Sequence, residues 1–211
     1  MTRAFGLVGV VSVALVGSAA AIPARQHHAS RGTRVNRINR LSFELVGQFL
    51  NSPAGVTPAT HTHYGYLSYI RGVRAFRAAP ESETTALFTF FAEATTLRVI
   101  ADGPLRVVTR VGRLRIYRDP SGNASFAKPE TFGDGTRVLV ATFRQQVVLD
   151  TVTNAFTTFH RNTITSTKPF AIAGGRVVLA DVGKTFRTYF SGQGNMPGPP
   201  SGYFGGYAVS G

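Results

Sequence analysis

The strongest indication of the fold is the segment LRVVTRVGRLRIYR, which runs from Leu105 to Arg118. In its first half, apolar and basic residues alternate with a period of two. Successive side chains of a β-strand point to opposite faces, so this period is typical of a half-buried strand. The two faces are Leu105, Val107 and Val111 on one side, and Arg106, Arg110 and Arg118 on the other.

The alternation changes phase at Gly112. Beyond it, Leu114 and Ile116 become the apolar face, whereas Arg113 and Arg115 become the polar face. A glycine at a change of phase is typical of a β-bulge, which increases the twist that a closed sheet needs. We therefore expect an apolar interior and an exterior on which most arginines face solvent.

Similar β-branched and aromatic segments continue through the chain, separated by turn sequences such as Asp102-Gly103-Pro104, and no helical period is sustained. The predicted strands are 41–50, 61–70, 84–101, 105–118, 137–149, 153–165, 176–179, 185–190 and 207–209. Strands at this spacing predict an all-β fold, a single antiparallel β-barrel of about eight strands over residues 43–211, with a β-sandwich as the alternative. Residues 191–206, rich in Gly and Pro, are expected to form a loop or a flexible tail.

In shape alone, such a barrel is similar to those of lipocalins and allene oxide cyclases. No motif of either family is present, and the chain lacks the tryptophan of the lipocalin G-x-W motif. A shared shape does not transfer a function.

The N-terminal segment reads as a targeting signal. Residues 1–21 combine Arg3, an apolar run and small residues at the end, as a secretory signal peptide does, which predicts a secreted or cell-envelope protein. Residues 22–42 follow as a basic, flexible arm. Its arginines recur at every third position and are candidates for binding a polyanion or a membrane surface, the alternative being a solvated leader: Arg31, Arg34, Arg37 and Arg40.

The composition excludes several classes of protein. The chain has 211 residues, no cysteine, and a formal charge of +13 from 23 basic and 10 acidic residues. Without cysteine there is no disulfide scaffold, thiol enzyme or iron–sulfur cluster. The scarcity of acids leaves few groups for acid/base chemistry.

Among the acids, Glu93 is the candidate general acid or base. In the predicted strand it shares its phase with Leu87, Phe91 and Leu97, which would place it inside the barrel. Burial would raise its pKa toward the range useful for catalysis. The alternative is a strand-end position or a pairing with an arginine.

His61 and His63 form an H-x-H pair, and His160 could be a third ligand, because residues i and i+2 of a strand share a face. The glutamate that follows an H-x-H in metal-binding cupins is missing, since Leu67 and Ser68 stand there. We therefore predict no metal and no cofactor.

Large rings occur on most predicted strands and would form either a packed core or an apolar cup. The candidate ligand-binding residues are Tyr64, Tyr66, Phe91 and Phe156. The expected function is that of a non-enzymatic barrel that binds a small hydrophobic ligand or an anionic envelope polymer. The alternatives are a lumenal, cofactor-free cyclase or isomerase using Glu93, and an interaction protein that pairs through sheet edges. No nucleic-acid partner is expected, and the oligomeric state stays open.

Overall fold

The computed structural model describes residues 35–38, 40–172, 175–194 and 199–210. They form eleven strands and one short 3-10 helix, Pro129–Phe132. The strands are β1 (Val35–Arg37), β2 (Ser42–Asn51), β3 (Thr60–Ile70), β4 (Phe88–Asp102), β5 (Leu105–Arg118), β6 (Thr136–Asp150), β7 (Ala155–Thr167), β8 (Phe170–Ile172), β9 (Gly175–Val178), β10 (Thr185–Gly194) and β11 (Gly202–Ser210). No helix in this part of the chain has the length and apolar character needed to cross a membrane.

Eight of the strands close into an antiparallel barrel in the order β10-β11-β2-β3-β4-β5-β6-β7, and β7 pairs with β10 to complete the ring. The predicted single antiparallel barrel is confirmed, and its closure excludes the sandwich. β11, the last strand, lies between β10 and β2, the first strand of the barrel, and pairs with both.

The phase of β5 differs from the prediction. Its inward residues are the even-numbered ones from Val108 to Ile116, and pairing with β4 continues without interruption through Gly112. The bulge lies on β4 instead, between Thr96 and Arg98, where Leu97 is the extra residue. The assignment of Arg110 to the outward, polar face is therefore wrong, because its side chain points into the barrel.

Gly112 is small for a packing reason. A methyl group built there would lie 2.5 Å from Cζ of Phe143 and even closer to the backbone oxygen of Glu93. Phe143 on β6 thus lies over the glycine of the neighbouring strand. The glycine makes room for an aromatic ring and marks no change of phase.

The glycines of the C-terminal part have the same role. Residues 191–206 are not one loop, because β10 extends to Gly194 and β11 begins at Gly202. A methyl group at Gly192 would lie 2.8 Å from Cζ of Phe156. The Gly-rich composition that suggested a loop instead accommodates inward aromatic rings.

One end of the barrel is covered by a small sheet in the order β1-β9-β8. Phe170, Val177 and Leu179 belong to the same buried core as the barrel strands, and Phe170 packs edge-on against Phe88 at 5.2 Å between ring centroids. β1 pairs in parallel with β9, so the end of the predicted flexible arm is part of the fold.

Candidate functional site

A cavity of about 280 Å³ occupies the other end of the barrel, where β2 leads to β3, β4 to β5, β6 to β7 and β10 to β11. Its apolar lining consists of Phe49, Val108, Val147, Leu149 and Phe156. Its polar lining includes His61, His63, Arg110, Gln145 and Thr158, with Asn51, Arg106 and Ser201 among the remaining residues. The cavity is therefore a cup with apolar walls and a set of polar side chains.

The three histidines meet because of the strand order. His61 and His63 project inward from β3, and His160 projects inward from β7, which lies on the opposite side of the ring of eight strands. The ring centroids of His61 and His63 are 4.4 Å apart, and those of His63 and His160 are 6.0 Å apart. Within the described residues, no three His, Cys, Asp or Glu side chains are arranged to hold a metal ion.

Hydrogen bonding orients only part of this cluster. Nδ1 of His61 lies 2.6 Å from Oδ1 of Asn51, and because the amide oxygen accepts, Nδ1 carries the proton. His160 stacks on Phe143 at 4.5 Å between ring centroids. Its Nε2 is buried without a protein partner, as are both amide atoms of Gln145 and the hydroxyl of Thr158. Buried polar atoms are costly to leave unpaired, so this group of side chains is suited to a polar ligand.

Arg110 supplies the inward charge of the cup, whereas Arg106 is exposed at its rim. Nε of Arg110 donates to Oγ1 of Thr96 at 3.3 Å. The described residues contain two ion pairs, Arg37–Asp181 and Arg115–Glu93, and neither involves it. Burial lowers the pKa of Arg110 to about 10, which leaves the guanidinium charged at neutral pH. The cup therefore holds a cation that no carboxylate neutralises.

The histidines carry no charge at neutral pH. Burial and the nearby Arg110 lower the pKa of His160 to about 3. Burial is also the largest cause that lowers the pKa of His61 and of His63, followed by Arg110 and His160 for His61 and by the other two histidines for His63. A neutral imidazole offers one donor and one acceptor, so the histidines add hydrogen-bonding capacity and no charge.

Glu93 lies outside the cup. Its carboxylate is 2.6 Å from Nη1 of Arg115, and 58% of its side chain is exposed. The inward residues of β4 are Phe88, Phe90, Ala92 and Ala94, which belong to the other phase of the strand. The prediction that Glu93 faces the interior is therefore wrong, because the assumed phase was displaced by one residue.

Three of the four predicted ligand-binding aromatics also lie on the outer face. Tyr64 packs against Phe132 at 5.6 Å between ring centroids, and its hydroxyl donates to Gln48 at 3.1 Å. Tyr64, Ala124 and Phe132 form a small core beneath the loop that connects β5 and β6, and Tyr66 and Phe91 pack against it. Only Phe156 lines the cup. The loop covers these rings, so they are shielded from solvent although they lie on the outer face of the barrel wall.

The structure describes two of the four predicted polyanion-binding arginines. Arg31 and Arg34 lie outside the described residues. Arg37 is exposed and donates to Asp181 at 2.9 Å, and Arg40 is exposed near the same end of the barrel. Arg37 is in a strand and is paired with Asp181, so the predicted flexible arm is structured at this position.

The residues that sequence reasoning missed are Arg110, Gln145 and Thr158. Gln145 shares its phase with Phe143 and Val147, a pattern that could have identified it as inward. Arg110 was missed because the predicted change of phase at Gly112 placed it on the outward, polar face of the strand. The chain matches no protein-family model, no curated protein and no solved structure.

Proposed function

We propose that the protein binds a small amphipathic anion, with the anionic group at Arg110 and the apolar part between Phe49, Val147 and Phe156. The observation that carries this proposal is the guanidinium of Arg110, which faces an apolar cavity without an acidic partner. A hydrogen bond to a charged group contributes about 1.5–3 kcal/mol, and the apolar walls add the free energy of burying hydrocarbon.

The dimensions of the cup restrict the ligand. Its volume of about 280 Å³ is just below the range usual for ligand sites, so the ligand is small. The amide of Gln145 and the hydroxyl of Thr158, which have no protein partner, supply donors for the remaining oxygen atoms. The proposal includes no chemical step, and residues 1–21 favour a role outside the cytoplasm.

The test compares octanoate with 1-octanol by isothermal titration calorimetry, since the two share a chain and differ in the charge of the head group. Octanoate is expected to bind more tightly. Arg110→Gln should weaken octanoate binding by roughly 10–100-fold and leave octanol unchanged. Arg113→Gln, on the outer face of the same strand, is the matched control. Equal binding of the two probes, or an Arg110→Gln variant that binds octanoate like the parent, would overturn the proposal.

A second candidate, pairing through a sheet edge, is favoured by the end of β4. Pairing with β3 stops at Thr95, and β4 continues to Asp102 with only β5 beside it. Leu97, Val99 and Ile100 are about half exposed on this free edge. An apolar edge of this kind is a template for another strand. Sedimentation velocity tests it, because self-association should occur and should disappear in Ile100→Lys; a monomeric parent would exclude this candidate.

A further inference from the structure

Three arginines lie side by side on the outer wall of the barrel, away from the cup. Arg161 on β7 is directly opposite Arg144 on β6 and directly opposite Arg187 on β10. Residues that are opposite one another in an antiparallel pair project from the same face, about 5 Å apart. All three side chains are exposed, and we call them the arginine row.

The arginine row is unfavourable in the isolated protein. Like charges directly opposite one another destabilise a sheet. All ten acidic residues of the chain are in the described part, and the two ion pairs found there lie elsewhere. The row therefore carries three adjacent positive charges that no side chain compensates. Such a row is explained by an anionic partner that binds across the three strands.

An apolar and aromatic surface adjoins the arginine row. Phe159, Tyr189 and Tyr207 form the next row, on β7, β10 and β11, so this row shares two strands with the arginine row; its ring centroids are 5.3 and 5.6 Å apart. Phe159 is 50% exposed and Tyr207 is 49% exposed. Val111 and Val209 pair with the two ends of the arginine row, and both are also exposed.

We propose that this face docks the protein onto a membrane surface that contains anionic lipid. The arginines would bind headgroup phosphates, and the aromatic and valine side chains would enter the boundary between headgroups and acyl chains. The face is the convex outer surface of the barrel wall. A bilayer suits it, because a bilayer surface is broad and its lipids can rearrange laterally around the protein. The exposed valines favour a bilayer over a hydrophilic polymer. A second copy is disfavoured, because a twofold contact centred on the row would bring six arginines together.

The proposal is independent of the cup, since the arginine row and Arg110 point to opposite sides of the wall. The test is co-sedimentation of the full chain with vesicles of phosphatidylcholine alone or in equal parts with phosphatidylglycerol. The variant is Arg144→Gln/Arg161→Gln/Arg187→Gln, and the control with the same net charge is Arg71→Gln/Arg137→Gln/Arg176→Gln. Residues 1–43 are identical in both, so any affinity of that segment cancels.

We expect binding to the anionic vesicles, with a loss of about fivefold for each arginine of the row and about 100-fold for the triple variant. The control triple should lose much less. Phe159→Ser should weaken binding without altering net charge. If the triple variant does not fold, Arg161→Glu alone should give a loss larger than that of Arg137→Glu.

Three results would overturn the proposal. Equal losses in the two triple variants would show that net charge alone drives the binding. Equal binding to both vesicle types would exclude recognition of anionic lipid. Retention on a soluble polyanion such as dextran sulfate, without retention on vesicles at the same salt concentration, would identify a polymer as the partner.

Discussion

The inner surface of the barrel differs between its two halves. The covered half holds rings and aliphatic groups, with Phe43, Phe88 and Phe186 each about 1% exposed. The open half holds three histidines, Gln145, Thr158 and Arg110 among fewer apolar groups. The same strands build both halves with the same period. The difference indicates that the covered half contributes most to stability, whereas the open half buries polar atoms without partners, which costs stability.

Acid should have the largest effect on the free energy of unfolding, and it should act through the three histidines of the open half. The pKa values of His61, His63 and His160 are lower in the folded protein than the ordinary 6.5, so the unfolded chain binds more protons below that pH. The stability that the neutral histidines contribute is fully present above pH 6.5 and is lost as the pH falls below it, by up to about 1.4 kcal/mol per pH unit for each histidine; for His160 the loss continues to about pH 3. Urea unfolding at several pH values measures this. His160→Gln should reduce the slope by about a third, and a slope independent of the histidines would contradict the prediction.

Truncation of a ring in the covered half should give the next largest effect. Phe88→Ala removes a side chain packed against Phe170 and should lower the free energy of unfolding by about 3–5 kcal/mol. Phe156→Ala, in the open half, should cost less, because one side of that ring already lines a cavity. Chemical denaturation compares the two. Equal losses would mean that the halves are packed alike.

Gly112→Ala tests the contact between glycine and ring at the border of the cup. The added methyl group meets both Phe143 and the backbone of β4, so a loss of about 1–3 kcal/mol is expected. Gly205→Ala is the matched control, since the nearest atom to a methyl group there is 3.7 Å away. Thermal unfolding measures both. An unchanged melting temperature for Gly112→Ala would show that the ring moves freely.

Replacement of Arg110 should give the smallest change, and in the opposite direction. Arg110→Met removes an inward charge that has no counter-ion and should raise stability by about 1 kcal/mol. It should also raise the pKa of His160, because Arg110 is one of the two causes that lower it. Thermal unfolding and an NMR titration of the imidazole measure these effects. A fall in stability would mean that Arg110 has a structural role.

The period-two pattern was enough to predict the strands and the barrel, but it did not determine which phase faces inward. On β4 both phases are largely apolar, since Leu87, Phe91 and Leu97 compete with Phe88, Phe90 and Ala92. The choice depends on the bulge at Leu97 and on the rings opposite, which are properties of neighbouring strands. The proximity of His63 and His160 likewise depends on strand order. The burial of Tyr64 and Tyr66 depends on a loop that periodicity does not describe.

The position of β11 has a consequence for biosynthesis. β2 can complete its pairing only with β11, whose residues leave the ribosome more than a hundred positions later. The barrel therefore cannot close while the intervening chain is still being made. The nascent barrel stays open until β11 has been synthesised, which leaves the edge of β2 unpaired and gives chaperones a long interval in which to bind it.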